Sequence, residues 1–97
     1  MPRAVPEVRP GQLVRSRAGR DQGSIYVVTE VLNGRTVLVA DGGTRTVAAP
    51  KRKNVRHLIL HQAELSEELC GRLVRGERVD DAEIRQAVRM LGGKGEG

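Results

Sequence analysis

Aromatic side chains are almost missing from this 97-residue chain, in which Tyr26 is the single Phe, Tyr or Trp. That scarcity excludes several ways of binding. Single-strand RNA readers that stack successive bases need two or three aromatics on one surface. Proline-rich peptide grooves and methyl-lysine cages need aromatic walls. Cysteine is as scarce, with Cys70 alone, so no internal disulfide can form and no zinc ribbon can draw its thiolates from this chain. No apolar run approaches the ~20 residues that a membrane span requires. The arginines near the N-terminus are not followed by the apolar stretch of a secretory signal, so the expected compartment is the cytoplasm and no membrane partner is expected. What is plentiful is charge: 17 Lys and Arg stand against 12 Asp and Glu, a net +5. With 38% hydrophobic residues, the chain can form one small core. Its partner is expected to be held by charge and backbone shape.

Charge and residue type divide the chain unevenly. Residues 1–62 carry 11 Lys and Arg against 4 Asp and Glu, net +7, while residues 63–97 carry 6 against 8, net −2. Ten of the thirteen valines also lie before residue 63, and β-branched side chains suit a pleated surface. The front part is therefore expected to be a basic β domain over residues 1–62, and the back part an acidic helical tail over residues 63–97. Strands are expected at Gln12 to Arg17, Ser24 to Leu32, Thr36 to Ala40, Thr44 to Ala48 and Val55 to Leu60. Asn33 and Gly34 signal a type I′ hairpin turn, in which both central residues take positive φ. Asp41, Gly42 and Gly43 mark a second reversal, and Pro50 to Asn54 reads as a basic loop.

Five short strands joined by tight turns cannot bury their apolar faces as a flat sheet. The fold class that follows is mainly β, a small SH3-like five-stranded barrel with a C-terminal pair of short α-helices. The second strand is apolar on both faces, with Ile25, Val27 and Val31 on one and Tyr26, Val28 and Leu32 on the other. That pattern suits strong coiling or a second layer packed outside. In the tail, Ser66 followed by Glu67 and Glu68 opens a helix carrying Leu69 and Leu73 after Leu65, and Gly76 stops it. Asp80 with Glu83 forms a capping-box pattern ahead of Ile84, Val88 and Leu91, with Gly92 and Gly93 as the stop. Residues 93–97 are expected to fray.

The order Gly11, Val14, Gly19, Arg20, Asp21, Gly23, then Tyr26, Val27, Val28, resembles the KOW motif of ribosomal proteins and NusG-like elongation factors. The pieces "AGRDQG", "YVV", "VLVADG" and "KRKNVRHL" are similar to bacterial KOW-domain RNA-binding proteins related to the large-subunit ribosomal protein L-fourteen-e. The likeness covers about half the chain. It implies RNA binding, with ribosomal RNA as the expected partner, association with ribosomal or transcription proteins, and a monomer outside that complex.

The residues support a polyanion partner without the family name. Gly19 and Gly23 can take positive φ and let the backbone approach a partner, while Arg20 presents a planar fork suited to phosphate. Asp21 would be repelled by RNA, so it is expected to bond loop amides or to orient Arg20. Lys51, Arg52, Lys53 and Arg56 put four positive charges within six residues, joined by Arg15, Arg17 and Arg45 in one continuous basic face, with His57 at the rim. This reading needs those cations gathered on one side, without acids among them. His57 and His61 lack a thiolate partner and make no convincing metal site. Cys70 among Leu69, Leu73 and Val74 reads as a small buried hydrophobe. No phosphate-cradling glycine loop with Lys and Ser or Thr exists, and no enzyme chemistry or cofactor is expected. The competing reading is a protein-interaction adaptor that grips a partner with Leu69, Leu73, Ile84 and Val88.

Overall fold

A computed structural model describes residues 8–92 of the chain. Strands β1 (Gln12–Ser16), β2 (Ile25–Val31) and β3 (Thr36–Ala40) form within the first three segments expected to be strands. Strand β4 (Lys51–Asn54) is followed by a 3-10 turn (Val55–His57) and strand β5 (Leu58–Glu64). All neighbours are antiparallel in a single sheet of order β4-β3-β2-β1-β5. Helices α1 (Glu67–Val74) and α2 (Asp81–Ala87) follow, and α2 runs on into a π-helical turn (Val88–Gly92). The fraying expected at residues 93–97 lies outside the described residues, as does the side chain of Leu91.

The chain's connectivity forces the sheet to curl. β4 and β5 are its opposite edges, yet only the 3-10 turn separates them. In a flat sheet the edges would stand about 19 Å apart, at about 4.8 Å per strand spacing. A 3-10 turn rises about 2 Å per residue, so four steps supply about 8 Å. Two backbone bonds hold the turn in place: Arg17 N–H donates to the His57 carbonyl at 2.9 Å, and Val55 N–H to the Arg35 carbonyl at 2.7 Å. No ladder joins β4 to β5 among the described residues, so the sheet is curled but open.

Each sheet face carries its own core, which explains why β2 is apolar on both sides. The inner face packs Val14, Tyr26, Val28, Val37, Val39 and Leu58. The opposite face buries Leu13 and Val27 against Leu65, Val79 and Ile84 from the helical segment. Beyond a register shift between Val28 and Glu30, Val31 is exposed, and so is Leu32 after the strand. Helix boundaries follow local chemistry. The Ser66 hydroxyl accepts from Leu69 N–H at 3.3 Å. Gly76 N–H donates to Leu73 O and Glu77 N–H to Arg72 O, the paired bonds of a Schellman stop. Asp80 N–H donates to Glu83 Oε1 at 3.0 Å, the reciprocal half of a capping box.

Four expectations of local structure are corrected. The hairpin between β2 and β3 is not type I′, because neither Asn33 nor Gly34 takes positive φ. Instead Asn33 Oδ1 accepts from the N–H groups of Arg35 and Thr36 at 2.8 and 2.9 Å, an Asx turn within a longer loop. Thr44 to Ala48 is irregular rather than a strand. Its backbone donors find side chains before they can find a ladder: Arg45 N–H goes to Asp41, Val47 N–H to Asp81, and Ala49 N–H just beyond goes to Thr46. The fourth strand is then the segment expected to be a loop, with Lys51 opposite Val39 and Lys53 opposite Val37. Finally, residues 55–57 form the 3-10 turn, and the last strand runs from Leu58 to Glu64.

Candidate nucleic-acid interface

Strand alternation decides what the basic run can do. Lys51 and Lys53 pair with Val39 and Val37, whose side chains lie in the inner core, so both lysines point to that face, while Arg52 points to the other and is exposed. An ammonium on the inner face needs an anion, and Asp21 supplies it from the β1–β2 loop. Asp21 Oδ1 accepts from Lys53 Nζ at 3.0 Å and Ser16 Oγ at 2.9 Å. Its Oδ2 accepts from Tyr26 Oη at 2.7 Å and Lys51 Nζ at 3.1 Å. Lys53 also donates to Ser16 Oγ at 3.0 Å and is only 8% exposed. Burial alone would raise the carboxyl's pKa, but the bonds from Tyr26, Lys53, Ser16 and Lys51 together outweigh it and hold Asp21 well below the ordinary carboxylate range. Burial, followed by the hydrogen bond and negative charge of Asp21, pushes the Tyr26 phenol up to about 12.

This network corrects the expected role of Asp21, which bonds side chains across the sheet and neither caps loop amides nor orients Arg20. It places an acid among the cations. One carboxylate facing two ammoniums still leaves a surplus positive charge, and Lys51 keeps contact with solvent at 28% side-chain exposure. Gly19 and Gly23 both take positive φ and close the loop that carries Asp21 and the exposed Arg20.

The other cations fall into two groups. Arg15 is half-buried on the helix-side face of β1, opposite Ile25 and Ile59, and Arg52 shares that face of the sheet. Arg45 is exposed at the end of a turn whose Asp41 carboxylate accepts from Gly43 and Arg45 N–H groups. Arg17, Arg56 and His57 are exposed and meet at the 3-10 turn, whose Asn54 cap accepts from Arg56 N–H at 3.0 Å. The expected single continuous face is therefore not what forms, because the two sides of β4 separate Arg52 from Lys51 and Lys53. Arg35 belongs with the turn group and was missed in the sequence. Its signal was the Asn33 turn, which exposes the next residues. Ser16 was missed as well, since nothing local marks a strand-end serine as an ion's partner.

The turn group borders two recesses that share Val55 and Arg56 in their linings. A groove of about 660 Å3 is lined by Arg17, Val55, Arg56, Leu58 and Leu60 among others. A smaller recess of about 430 Å3 is lined by Gly34, Arg35, Asn54, Val55 and Arg56. Arg17, Arg20, Arg35, Arg45, Arg52 and Arg56 form no side-chain ion pair with any described residue. The one acid among the described residues that line the groove, Glu64, faces Arg9 at 3.5 Å.

Among the described residues no cluster of three or more His, Cys, Asp or Glu could hold a metal ion. His57 lies on the turn and His61 is half-buried on β5. Cys70 is half-buried and donates to the Leu65 carbonyl at 3.4 Å, while the neighbouring Val74 is exposed rather than packed around it. No described helix is long and apolar enough to cross a membrane. The chain matches no protein-family model, and no curated protein is similar enough to it to count as a relative.

Proposed function

We propose that this protein is a non-enzymatic RNA-binding module of KOW type. The single acid-free basic face that the sequence reading required does not form, so docking on structured RNA narrows to the exposed arginines of the loops and 3-10 turn, by charge and shape rather than by chemistry. The observation that carries this reading is the set of exposed guanidiniums at the loops and turn of the sheet that form no ion pair with any described residue. In the helical segment, by contrast, Arg72 of α1 is tied to Glu83 of α2 at 3.1 Å. Exposed, unpartnered guanidiniums suit phosphate, which they bind in a bidentate fork. Two features of the reading rest on the resemblance. One is closure of the curled sheet into an SH3-like barrel, favoured by the short link between its edges. The other is ribosome association with ribosomal RNA as target, in the cytoplasm, the protein being monomeric outside its complex.

The adaptor reading gains less support. Of the four residues that would grip a partner, Ile84 is fully buried, and Leu69, Leu73 and Val88 pack against the helix-side core.

Binding to structured RNA should weaken steeply with salt. The slope of log K against log salt is expected at about −0.7 to −0.9 per phosphate contacted. Fluorescence anisotropy over a salt series tests it, and affinity that hardly moves with salt would refute docking by charge. Crosslinking in cells followed by sequencing of attached RNA tests the ribosomal part. Recovery of messenger RNA alone would remove the ribosome from the proposal and leave RNA binding in place.

A further inference from the structure

We propose that the groove along β5 and the 3-10 turn receives one unpaired nucleotide of the bound RNA. The inference rests on the RNA-binding reading and adds to it a preference among RNAs. At about 660 Å3 the groove has the size of small-ligand sites, about 300 to 1,000 Å3. It admits a single nucleotide and not a duplex. Its floor is apolar, made by Leu58 of the inner core and by Val55 and Leu60 packed against that core. Its lining includes Arg17 and Arg56, both exposed and without an acid partner among the described residues. An apolar floor between two cations matches a base flanked by its phosphates.

The remaining polar groups of the groove are largely committed. Glu64 faces the Arg9 guanidinium at 3.5 Å, an exposed pair that offsets part of its charge. The Gln12 amide uses both ends, donating to the His61 carbonyl at 3.2 Å and accepting from Arg9 N–H at 3.3 Å. Gln12 therefore builds the wall and does not read a base. With Tyr26 buried and bonded to Asp21, stacking falls to the guanidinium planes, which stack on unpaired bases as aromatics do. Val55 and Arg56 also line the recess beside Arg35, so the phosphates next to the inserted nucleotide have a cationic path out of the groove. The same charges argue against an apolar peptide as occupant.

The test compares two RNA hairpins that differ only by a single-nucleotide bulge carrying 2-aminopurine. Wild-type protein is expected to bind the bulged hairpin about tenfold more tightly, the scale of one base stack, and to change the aminopurine fluorescence. Arg17→Ala and Arg56→Ala should abolish the preference. So should Gln62→Glu, which adds a negative charge at an exposed position lining the groove. Arg20→Ala and Arg45→Ala should weaken both hairpins alike. Thermal melts establish that each variant is folded. Equal wild-type affinity for both hairpins overturns the inference and leaves RNA binding standing. A preference that survives the three groove substitutions also overturns it, because the bulge is then held elsewhere. Failure to bind either hairpin at low salt removes RNA binding itself, and the inference with it.

Discussion

Arginine is used in opposite ways by the two halves of this molecule. In the helical half Arg72, Arg75, Arg78 and Arg85 are engaged, and the exposed Arg89 is the exception, with no ion pair to any described residue. Arg72 reaches Glu83 at 3.1 Å and Glu68 at 3.5 Å, Arg75 reaches Glu77 at 2.8 Å, and Arg78 reaches Asp80 at 3.6 Å. Arg85 donates to the Gly42 carbonyl at 2.6 Å. In the sheet half, Arg9 pairs with Glu64 at 3.5 Å at an exposed position, six arginines form no ion pair with any described residue, and the inward-facing ion pairs belong to lysines turned to Asp21. The difference separates two jobs for positive charge. Lysine's flexible stem lets an ammonium reach an interior carboxylate, whereas the exposed arginine forks remain available to a partner from solution. Net charge of the two segments alone would not reveal this, since it treats Lys53 and Arg56 alike.

The comparison breaks most visibly at Asp21. Asp21→Asn keeps the shape but leaves Lys53 buried without an anion. A loss of about 3 to 5 kcal/mol in stability is expected, the usual cost of breaking a buried pair on one side, measured by urea unfolding. It also changes what can be learned from the basic run. Neutralising Lys51, Arg52 and Lys53 together would dismantle this network as well as remove surface charge, so it cannot test RNA contacts cleanly. The cleaner variant is Arg17→Ala, Arg35→Ala and Arg56→Ala combined. It should reduce RNA affinity by about 10- to 100-fold and flatten the salt slope by about 2 to 3, with an unchanged unfolding midpoint. A shifted midpoint would mean that these arginines are structural after all.

The pH dependence should report the same network from both ends. Tyr26 has a folded pKa raised to about 12, so its contribution is complete below pH ~10, the unfolded value. It is lost as pH climbs through the folded value, because only the unfolded chain releases the proton readily between the two. The loss amounts to about 2 to 3 kcal/mol, and Tyr26→Phe should remove that alkaline dependence from the unfolding curves. Asp21 has a lowered pKa, so its contribution is present above pH ~4 and is lost as acid protonates first the unfolded chain and then the native carboxylate. Acid unfolding that is unaltered in Asp21→Asn would show that other carboxylates govern that limb.

Smaller effects are expected where the two halves meet. Gly42 has φ +80°, and a Cβ there would strike the Asp81 carbonyl and the Arg85 side chain and backbone. Gly42→Ala should cost about 1 to 3 kcal/mol and loosen α2 from the β3–β4 loop, where Asp81 also accepts from Val47 N–H at 2.7 Å. Hydrogen exchange at Val47 would register the loosening. In contrast, Glu77→Gln breaks an exposed pair with Arg75 and should leave both unfolding midpoint and RNA affinity unchanged. If it weakened RNA binding, the division between paired and available arginines would be wrong.

Several elements were legible because their cause is local. β2 and β3 are β-branched runs, α1 carries its own Ser66 cap and Gly76 stop, and the double-sided apolar pattern of β2 anticipated the second layer. β4 was not legible. Lys51 to Asn54 has poor strand propensity, while Thr44 to Ala48 looks better and is irregular, because Asp41, Thr46 and the distant Asp81 take the backbone donors of that segment. At the candidate site, the residue types were visible but their sides were not. A charge run shows no alternation until its register is known, and a one-residue slip would exchange Arg52 with its two neighbours.

From its residues alone, the chain determined a small, mainly β protein with two helices after it, a cationic front part, and no aromatic surface on which bases could stack. Those properties follow from composition, β-branching and capping, which act over a few residues. Only the tertiary structure decided which cations are spent and which are available. That choice depends on Asp21 meeting Lys53 across 32 positions of sequence, and on a three-residue turn bringing Arg17, Arg35 and Arg56 to the same rim. Such meetings arise when the sheet curls to bury its two aliphatic cores, and no local propensity records them.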